Sequence, residues 1–582
     1  MSIQSKRWRV APPVSEEDLS RFPDRQPLLV QLLHNRGLND PADVREFLQG
    51  QVPGHSPFVL KGMYPAVERL SHAISNGESI AVYGDFDADG VTATALLVQA
   101  LSALGAQVVP YIPSRVREGY GLNIGALRKL YRDGVRLVVT VDCGIRSLKE
   151  VEQASRGLDL IVTDHHSVAD QLPPALAVIN PKQPGCYYPF KDLSGVGVAC
   201  KLAQALFHAR ERRGKSADLT ADDLLDFVAL GTVADLVPLL GENRALVRRG
   251  LEKMRTSPRP GVEALMADAK VRRDEVDANA IGFRLGPRLN AAGRLDQVML
   301  AYDLLTTTNP LETRKLAQQL GKLNQERQEL TKTTVEIAEA QVQAADPDAF
   351  LYLVSSPEFK PGIVGLVASR LTEAYYRPSV VVEIGKKRSR GSCRSIPEFH
   401  ITRALDQCQE LLVRHGGHAA AAGFTVETAN LDALRERLQA IAAEKLSAAD
   451  LQPVLEIDRQ LPLGEVTKET LKALEQLEPT GMENPQPVLC SPDVHIRHKR
   501  KVGGDKHLKL ILGDGRGASR DAIWFRAGHL MDKIPGRVDV AYTLEADKWN
   551  HSKEPQLHVV DMRPAQASSV AEGDRAYAVR SR

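Results

Sequence analysis

The sequence predicts an α/β protein with three parts: a parallel-sheet domain, a second α/β domain joined to it by a long helix, and a small β-barrel. Three observations carry this. Between Ser79 and Pro181, strand-like runs of β-branched residues alternate with helical patterns, as in a doubly wound parallel sheet. The alternation returns between Phe350 and Ile384. Beyond Leu455, five short strand-like runs recur, which suits a small OB-like barrel.

Composition bounds the reading. At 582 residues the chain exceeds one hydrophobic core, and 43% hydrophobic with 25% charged residues is the balance of an ordinary globular protein. It contains no run of about eighteen apolar residues, so no membrane role is expected. The stretch Met1 to Trp8 lacks an apolar signal-type segment. Six cysteines without a C-x-x-C pair argue against zinc ribbons and disulfide frameworks. Reduced cytoplasm is the expected compartment. With 75 basic and 73 acidic side chains the net charge is +2, so nucleic-acid binding must rest on local patches.

Taken in order, residues 1–78 read as helical scaffold. Asn39-Asp40-Pro41 opens one helix, and Val67, Leu70 and Ile74 give another an apolar stripe. Residues 79–308 form the parallel-sheet domain. Its strands are expected at Ile80–Tyr83, Val108–Ile112, Leu137–Val141, Leu160–Thr163 and Ala177–Ile179. Ligands of such sheets sit at the carboxyl ends of the strands, so the residues just past each strand matter. After the first come Asp85, Asp87 and Asp89, after another Asp142, and after another Asp164-His165-His166. Three strands thus deliver carboxylates and imidazoles to one rim. Asp235 stands alone in the apolar run Leu230 to Leu239. It reads as a helix cap, an arginine partner or a further ligand, and the acidic rim favours the last.

Three carboxylates within five residues repel one another unless they hold a cation. A calcium EF-hand is excluded, because its twelfth position is Leu96 and a strand comes first. Carboxylates with imidazoles suit manganese or magnesium. Five or more anionic ligands suit two ions, which together can clamp a phosphoryl oxygen and acidify water. Hydrolysis of a phosphate ester or anhydride is the matching chemistry.

Gly84-Asp85-Phe86-Asp87-Ala88-Asp89-Gly90, Val141-Asp142-Cys143-Gly144, Thr163-Asp164-His165-His166 and Thr232-Val233-Ala234-Asp235 resemble the four ordered motifs of the DHH phosphoesterase superfamily. Within it the chain resembles the RecJ family of single-stranded-DNA exonucleases. The resemblance implies that Asp87, Asp89, Asp142, His165 and Asp235 hold two divalent ions, Mn2+ or Mg2+. It makes Asp85 a near neighbour in the catalytic group and points His166 at the substrate phosphate. The residues alone also allow His166 to orient His165.

Other stretches carry two readings each. Arg115, Arg117 and Tyr120 come just after a strand of the sheet; they form a basic surface loop, or they contact phosphate and stack a base. Ile281 to Arg294 is glycine-rich, with Arg288, Asn290 and Arg294 as phosphate contacts or as a solvated turn. The resemblance favours DNA contacts for Arg115, Tyr120, Arg294, Arg288 and Asn290.

Asn309-Pro310-Leu311-Glu312 is a strong helix start, and residues 309–346 read as one connecting helix about 50 Å long. Residues 347–450 resemble the DHH-associated domain. There Arg388 to Ser395 and Gly416 to Phe424 combine glycine, hydroxyl and arginine residues into a nest for a terminal phosphate, although Gly416 and Gly417 also read as a helix cap. The resemblance makes Ser392, Arg394 and His418 the pocket for a 5′ end, and the 5′ to 3′ polarity rests on it alone.

Residues 451–565 read as the OB-like domain, with a basic first hairpin from His495 to Lys509 and Trp524, Phe525 and Trp549 as stacking platforms. A protein-binding barrel is the other reading. Gly481-Met482-Glu483-Asn484-Pro485 stands where the family it resembles more often has a second glycine before Asn-Pro; this puts the loop geometry in question. Residues 566–582 read as a disordered tail.

The function expected is a 5′ to 3′ exonuclease for single-stranded DNA in repair and recombination. The resemblance implies a helicase and a single-strand-binding protein as partners, and a monomer is expected. The alternatives are a phosphoesterase for pyrophosphate, short oligonucleotides or cyclic dinucleotides, which would not need residues 455–565, and a non-catalytic single-strand-binding scaffold.

Overall fold

The computed structural model describes residues 6–50, 54–115, 117–344, 346, 349–547 and 554–565. Trp549 and the tail at 566–582 lie outside them. The chain divides into two compact units: Gly50–Gln452 with Pro479–Asn484, and Ser5–Gln49 with Pro453–Glu478 and Pro485–Arg582.

The first unit is built on five parallel strands, β1 (Ser79–Tyr83), β2 (Gln107–Tyr111), β3 (Leu137–Thr140), β4 (Asp159–Thr163) and β5 (Ala177–Ile179), in the order β2-β1-β3-β4-β5. β1, β3 and β4 are buried along nearly their whole length because helices cover both faces. β2 carries Pro110, which an edge strand tolerates. The strand order turns back at β1, with β2 on one side of it and β3 on the other, so the crevice at the carboxyl ends of β1 and β3 is the natural ligand site of this topology. Helix α1 (Ala88–Ala103) leaves that crevice, and α2 (Gly195–Glu211) and α3 (Leu225–Ala234) pack against it.

After α4 (Gly286–Arg294), the connecting helix α5 runs from Pro310 to Ala344. At 1.5 Å per residue it spans about 52 Å. Asn309 caps it through a 3.0 Å bond from the Leu311 amide. Leu316, Ala317, Leu320 and Leu323 near its start join the first core, whereas Ala338 and Val342 near its end join a second. One helix therefore belongs to two cores, which a free coiled coil would not.

The second sheet of this unit contains β6 (Tyr352–Ser356), β7 (Ser379–Glu383), β8 (Arg388–Arg394), β9 (Leu412–Gly417) and β10 (Ala421–Glu427), ordered β9-β10-β8-β7-β6. Gly416 and Gly417 end a strand and cap no helix, and Ser392 and Arg394 lie on β8 rather than in a turn.

The other unit holds β11 (Leu489–Val502), β12 (His507–Gly513), β13 (Ser519–Trp524), β14 (Arg537–Ala546) and β15 (Pro555–Pro564). β11 pairs with both β12 and β14, and β13 pairs with β15, which closes a five-stranded barrel. A feature absent from the sequence reading is the strand Arg7–Val10, paired in parallel with Val454–Ile457. Trp8 Nε1 donates to Asp561 at 2.8 Å, fastening this segment to the barrel. Among the described residues no helix is long and apolar enough to cross a membrane.

Candidate metal centre and nucleic-acid interface

The loop after β1 turns directly into α1, and Asp87 caps that helix by accepting from the Asp89 and Gly90 amides at 3.0 and 3.1 Å. Asp89, fully buried in the first turn, reaches the amino terminus of α2 and accepts from the Gly195 and Val196 amides at 2.6 and 2.8 Å. Helix α3 can approach because it presents Gly231. A Cβ there would lie 2.7 Å from Asp89 Oδ1. Asp142 lies just past β3 with φ 61°, a left-handed conformation held beside the rim. Asp235 closes the end of α3.

These residues converge. His165 Nε2 lies 3.1 Å from Asp142 Oδ1, 3.4 Å from Asp235 Oδ2 and 4.0 Å from Asp89 Oδ2. Three sets of donors each fall within 4.8 Å: Asp89 with His165 and Asp235, Asp142 with His165 and His166, and Asp85 with Asp87 and Asp142. Burial and the neighbouring carboxylates push Asp85, Asp142 and Asp235 well above the usual carboxyl range, and Asp89 to about 7. Burial lowers His165 to about 3, so its imidazole is neutral at pH 7.

His166 is held differently. Its Nδ1 lies 2.8 Å from Asp164 Oδ1, and the same carboxylate accepts from the Ile145, His165 and His166 amides at 3.0, 2.7 and 3.0 Å. Tyr120, 57% exposed, sets its hydroxyl 3.3 Å from His166 Nδ1.

Beside this rim opens a pocket of about 470 Å3 lined by Arg115, Arg294, Arg390, Arg394 and Arg414 with Ser392. The first turn of helix Val364–Tyr375 forms another wall through Val364 and Gly365, adding the positive end of a helix dipole. Arg294 donates to the Gly362 carbonyl at 2.9 Å, and burial with neighbouring Arg115 and Arg327 lowers its pKa to about 9. So dense a cluster of guanidiniums matches a phosphate.

Comparison with known proteins agrees with this geometry. The model of the DHH family, N-terminal domain, matches residues 79–232, the DHHA1 domain matches 348–444 and the RecJ OB domain matches 457–561. The chain is 38% identical over 570 residues to the single-stranded-DNA-specific exonuclease RecJ of Bacillus subtilis, covering 96% of this chain and 71% of that one. It is 36% identical over 559 residues to the Escherichia coli protein of the same name, covering 92% and 96%. The chain belongs to the RecJ family.

Among solved structures, RecJ from Thermus thermophilus in complex with Mn2+ superposes with a TM-score of 0.82 at 32% identity, covering 96% of this chain and 80% of that one. The Mg2+ complex from the same source gives 0.77 at 31% identity, covering 96% and 79%. The RecJ-family rim of this chain fits such ions on its own evidence. The buried Asp85 Oδ1, Asp142 Oδ1 and His165 Nε2 lack a hydrogen-bond partner among the described residues, and the donor set is hard oxygen with imidazole.

Several expectations change. Asp85 joins Asp87 and Asp142 in one donor set instead of standing beside it. Arg288 is engaged by Asp268 at 2.9 Å and by the Arg284 carbonyl at 2.7 Å, so it is a structural residue. Asn290 accepts from the Ala88 amide at 2.7 Å and thereby braces the acidic loop from α4. Arg117 pairs with Asp296 at 3.4 Å, whereas Arg115 lines the pocket with its Cζ 4.9 Å from the Phe86 ring centre. His418 sits in the β9–β10 turn outside the arginine pocket, and burial with Arg146 and His166 lowers its pKa.

On the barrel, Trp524 is half-buried opposite Leu508, and the ring offered to solvent is the neighbouring Phe525, 54% exposed. Arg497, His498, Lys499, Arg500 and Lys501 are all exposed. Missed by sequence reasoning were Asp164, Arg390 and Arg414. Asp164 was visible as the first residue of the motif, Arg390 lay within the Arg388 to Ser395 stretch without being singled out, and Arg414 had no signal beyond charge.

Proposed function

We propose that this chain is a metal-dependent exonuclease that removes nucleotides from the 5′ end of single-stranded DNA. The observation that carries the reading is the adjacency of a carboxylate–imidazole rim to a pocket of guanidiniums at a helix amino terminus. In this reading Asp87, Asp89, Asp142, His165 and Asp235, with Asp85, hold two divalent cations, Mn2+ or Mg2+. When bound, the cations neutralise phosphate oxygens and acidify water. His166 presents Nε2 to the scissile phosphate while Asp164 fixes Nδ1 and Tyr120 braces the ring. Arg115, Arg294, Arg394 and Ser392 hold the phosphate of the terminal nucleotide. The exposed basic strand of the barrel and Phe525 track the rest of the DNA strand, sequence-independently.

A substrate confined to single strands requires that duplex be opened first, so a helicase and a single-strand-binding protein are the fitting partners. A monomer working on DNA in the cytoplasm, in repair and recombination, completes the proposal. The match of the barrel to the RecJ OB domain favours polynucleotide over pyrophosphate or dinucleotide, which needs no barrel.

The test is product release from end-labelled single-stranded and duplex DNA, with Mn2+ or Mg2+ supplied and then chelated. Immediate metal-dependent loss of a 5′ label from single strands only is expected. Cleavage of dinucleotides or pyrophosphate with intact DNA would overturn the assignment.

A further inference from the structure

The arginine pocket beside the rim is built in rows. Alternate residues of a strand share a face, and the register of the second sheet sets Arg394 of β8 beside Ala421 of β10. It sets Ser392 beside Gly423 and Gly416, and Arg390 beside Thr425 and Arg414. The middle row has no side chain on β9 or β10, and a Cβ at Gly416 would meet nothing within 4 Å. That row is an open floor with a basic row on either side. Successive rows are two residues apart, about 7 Å along the strands.

The inner row faces the metal rim. Arg394 and Arg294 both have lowered pKa values, chiefly through burial and then through Arg115, and Arg294 also feels Asp87 of the acidic loop. Arg390 and Arg414, in the outer row, are exposed. The fold does not neutralise them. The Arg390 guanidinium has no ion pair or hydrogen bond among the described residues, although Glu383 of β7 is its cross-strand neighbour. One row further out, by contrast, Arg388 pairs with Glu427 at 3.0 Å. Arg414 Nε donates to Thr425 Oγ1 at 3.3 Å and forms no ion pair among the described residues.

A terminal monophosphate carries about two negative charges, which Arg115, Arg294 and Arg394 with Ser392 already match. The volume of about 470 Å3 is that of a small-ligand site and exceeds what one phosphoryl group needs. Two more guanidiniums then stand beyond that phosphate, across a floor of glycine. A chain of phosphoryl groups running outward from Ser392 would meet them.

We propose that Arg390 and Arg414 extend the pocket to a polyphosphorylated end, so that the enzyme takes single strands beginning with a 5′-triphosphate as well as those beginning with a 5′-monophosphate. The proposal rests on the exonuclease reading and adds a substrate class to it. The α-phosphate sits on Ser392 and Arg394, and the β- and γ-phosphates cross the glycine floor to Arg390 and Arg414. The bond broken is unchanged: the hydroxyl of water joins the phosphorus between the first two nucleotides, the bond from that phosphorus to the 3′ oxygen breaks, and this oxygen takes the proton of water. The first product is a nucleoside 5′-triphosphate, and the shortened strand begins with a 5′-monophosphate.

The binding probe is oligothymidylate labelled with fluorescein at its 3′ end and carrying a 5′-monophosphate or a 5′-triphosphate, titrated with the full chain under chelation and read by anisotropy. The triphosphorylated strand is expected to bind about tenfold more tightly. Combining Arg390→Ala with Arg414→Ala should abolish that preference, while Arg390→Lys with Arg414→Lys retains most of it and Arg394→Ala weakens both strands alike. Because the readout is a ratio within each protein, a general loss of binding does not mimic the result. Equal affinity of the parent for the two strands, or a preference untouched by the double alanine variant, would overturn the proposal. So would inorganic triphosphate that displaces the monophosphorylated strand while the triphosphorylated strand binds no tighter, which would make the row a site for a soluble polyphosphate. With Mn2+ supplied, the nucleoside triphosphate is the expected first product. A triphosphorylated strand left intact while the monophosphorylated one is degraded would overturn the proposal and leave the exonuclease reading standing. If neither strand is degraded, the exonuclease reading fails and the affinity ratio still decides what the outer row binds.

Discussion

Asp164 Oδ1 lies 2.8 Å from His166 Nδ1, and the same buried carboxylate gathers three backbone amides from two loops of the rim. Burial alone would lower the His166 pKa, yet the bond and charge of Asp164, with Asp87 and Asp89 behind it, raise it above 6.5. The pair ties Nδ1 to the carboxylate and leaves Nε2 as the ring nitrogen that Asp164 does not hold. In Asp164→Asn one side-chain atom becomes a donor, and either an amide or the imidazole loses its acceptor. A partner of this kind is worth about 10- to 100-fold in activity. Steady-state kinetics on labelled single strands should show that loss in kcat with little change in KM.

The crowding of Asp85, Asp89, Asp142 and Asp235 makes stability depend on the cation. Their raised pKa values mean that the folded state binds protons more readily than the unfolded state does. Stability of the chelated protein therefore falls as pH rises from the ordinary carboxyl value of 3.8 towards neutrality. Mn2+ at about a hundred times its Kd should restore about 2.7 kcal/mol, read as a higher Tm by calorimetry. Asp142→Asn should raise the Tm of the chelated protein at pH 7, because a repelled charge is removed, and abolish turnover. A chelated variant less stable than the chelated parent would contradict the electrostatic account.

The metal rim was legible because the chemistry is local in sequence: each strand runs at once into its aspartate or histidine, and parallel topology brings those ends together. Asp85 was underestimated since spacing does not say which of three alternating carboxylates turns inward. Arg288 and Asn290 have partners within the fold that the sequence did not show. Their partners, Asp268 and the Ala88 amide, lie 20 and 202 positions away, and nothing in a glycine-rich stretch distinguishes a guanidinium that grips phosphate from one that grips its own fold. The strand Arg7–Val10 was hidden likewise, pairing with residues beyond position 450. The barrel was readable from alternation, whereas the exposure of Phe525 over Trp524 depends on where the last strand residue turns.

Acid sensitivity has its source away from the metal rim, whose raised carboxyls act in the opposite sense. Arg69 on helix Met63–Asn76 donates to Asp159 at the start of β4 at 2.6 Å and to Glu78 before β1 at 2.5 Å. The bond from Arg69 lowers the Glu78 carboxyl below its usual 4.5 although burial pushes the other way. A depressed folded value contributes stability that is full above 4.5 and lost as pH falls through the lower value. Glu78→Gln should therefore cost about 0.5–1 kcal/mol at pH 7, solvent screening included. The difference should shrink as pH falls below 4.5, as read by urea denaturation at pH 7 and at acid pH.

The loop Gly481 to Asn484 shows what a glutamate at position 483 does to the backbone. Gly481 and Asn484 exchange backbone hydrogen bonds at 2.8 and 3.2 Å, and between them Glu483 has φ 56°. The left-handed conformation that a glycine would adopt freely is thus imposed on a glutamate. Tertiary contacts enforce it: the Met482 carbonyl accepts from the Leu239 amide at 2.9 Å, and the Pro479 carbonyl accepts from buried Arg244 and from Asn484, each at 2.9 Å. Glu483→Gly should relieve about 1 kcal/mol of backbone strain and lose part of it to the greater freedom of glycine in the unfolded chain. The expected net is a rise of about 1–2 °C in Tm with unchanged nuclease activity. Glu483→Val, β-branched at the same φ, should lower the Tm instead. A fall in Tm with glycine would mean that the Glu483 side chain stabilises the loop by more than its backbone strains it.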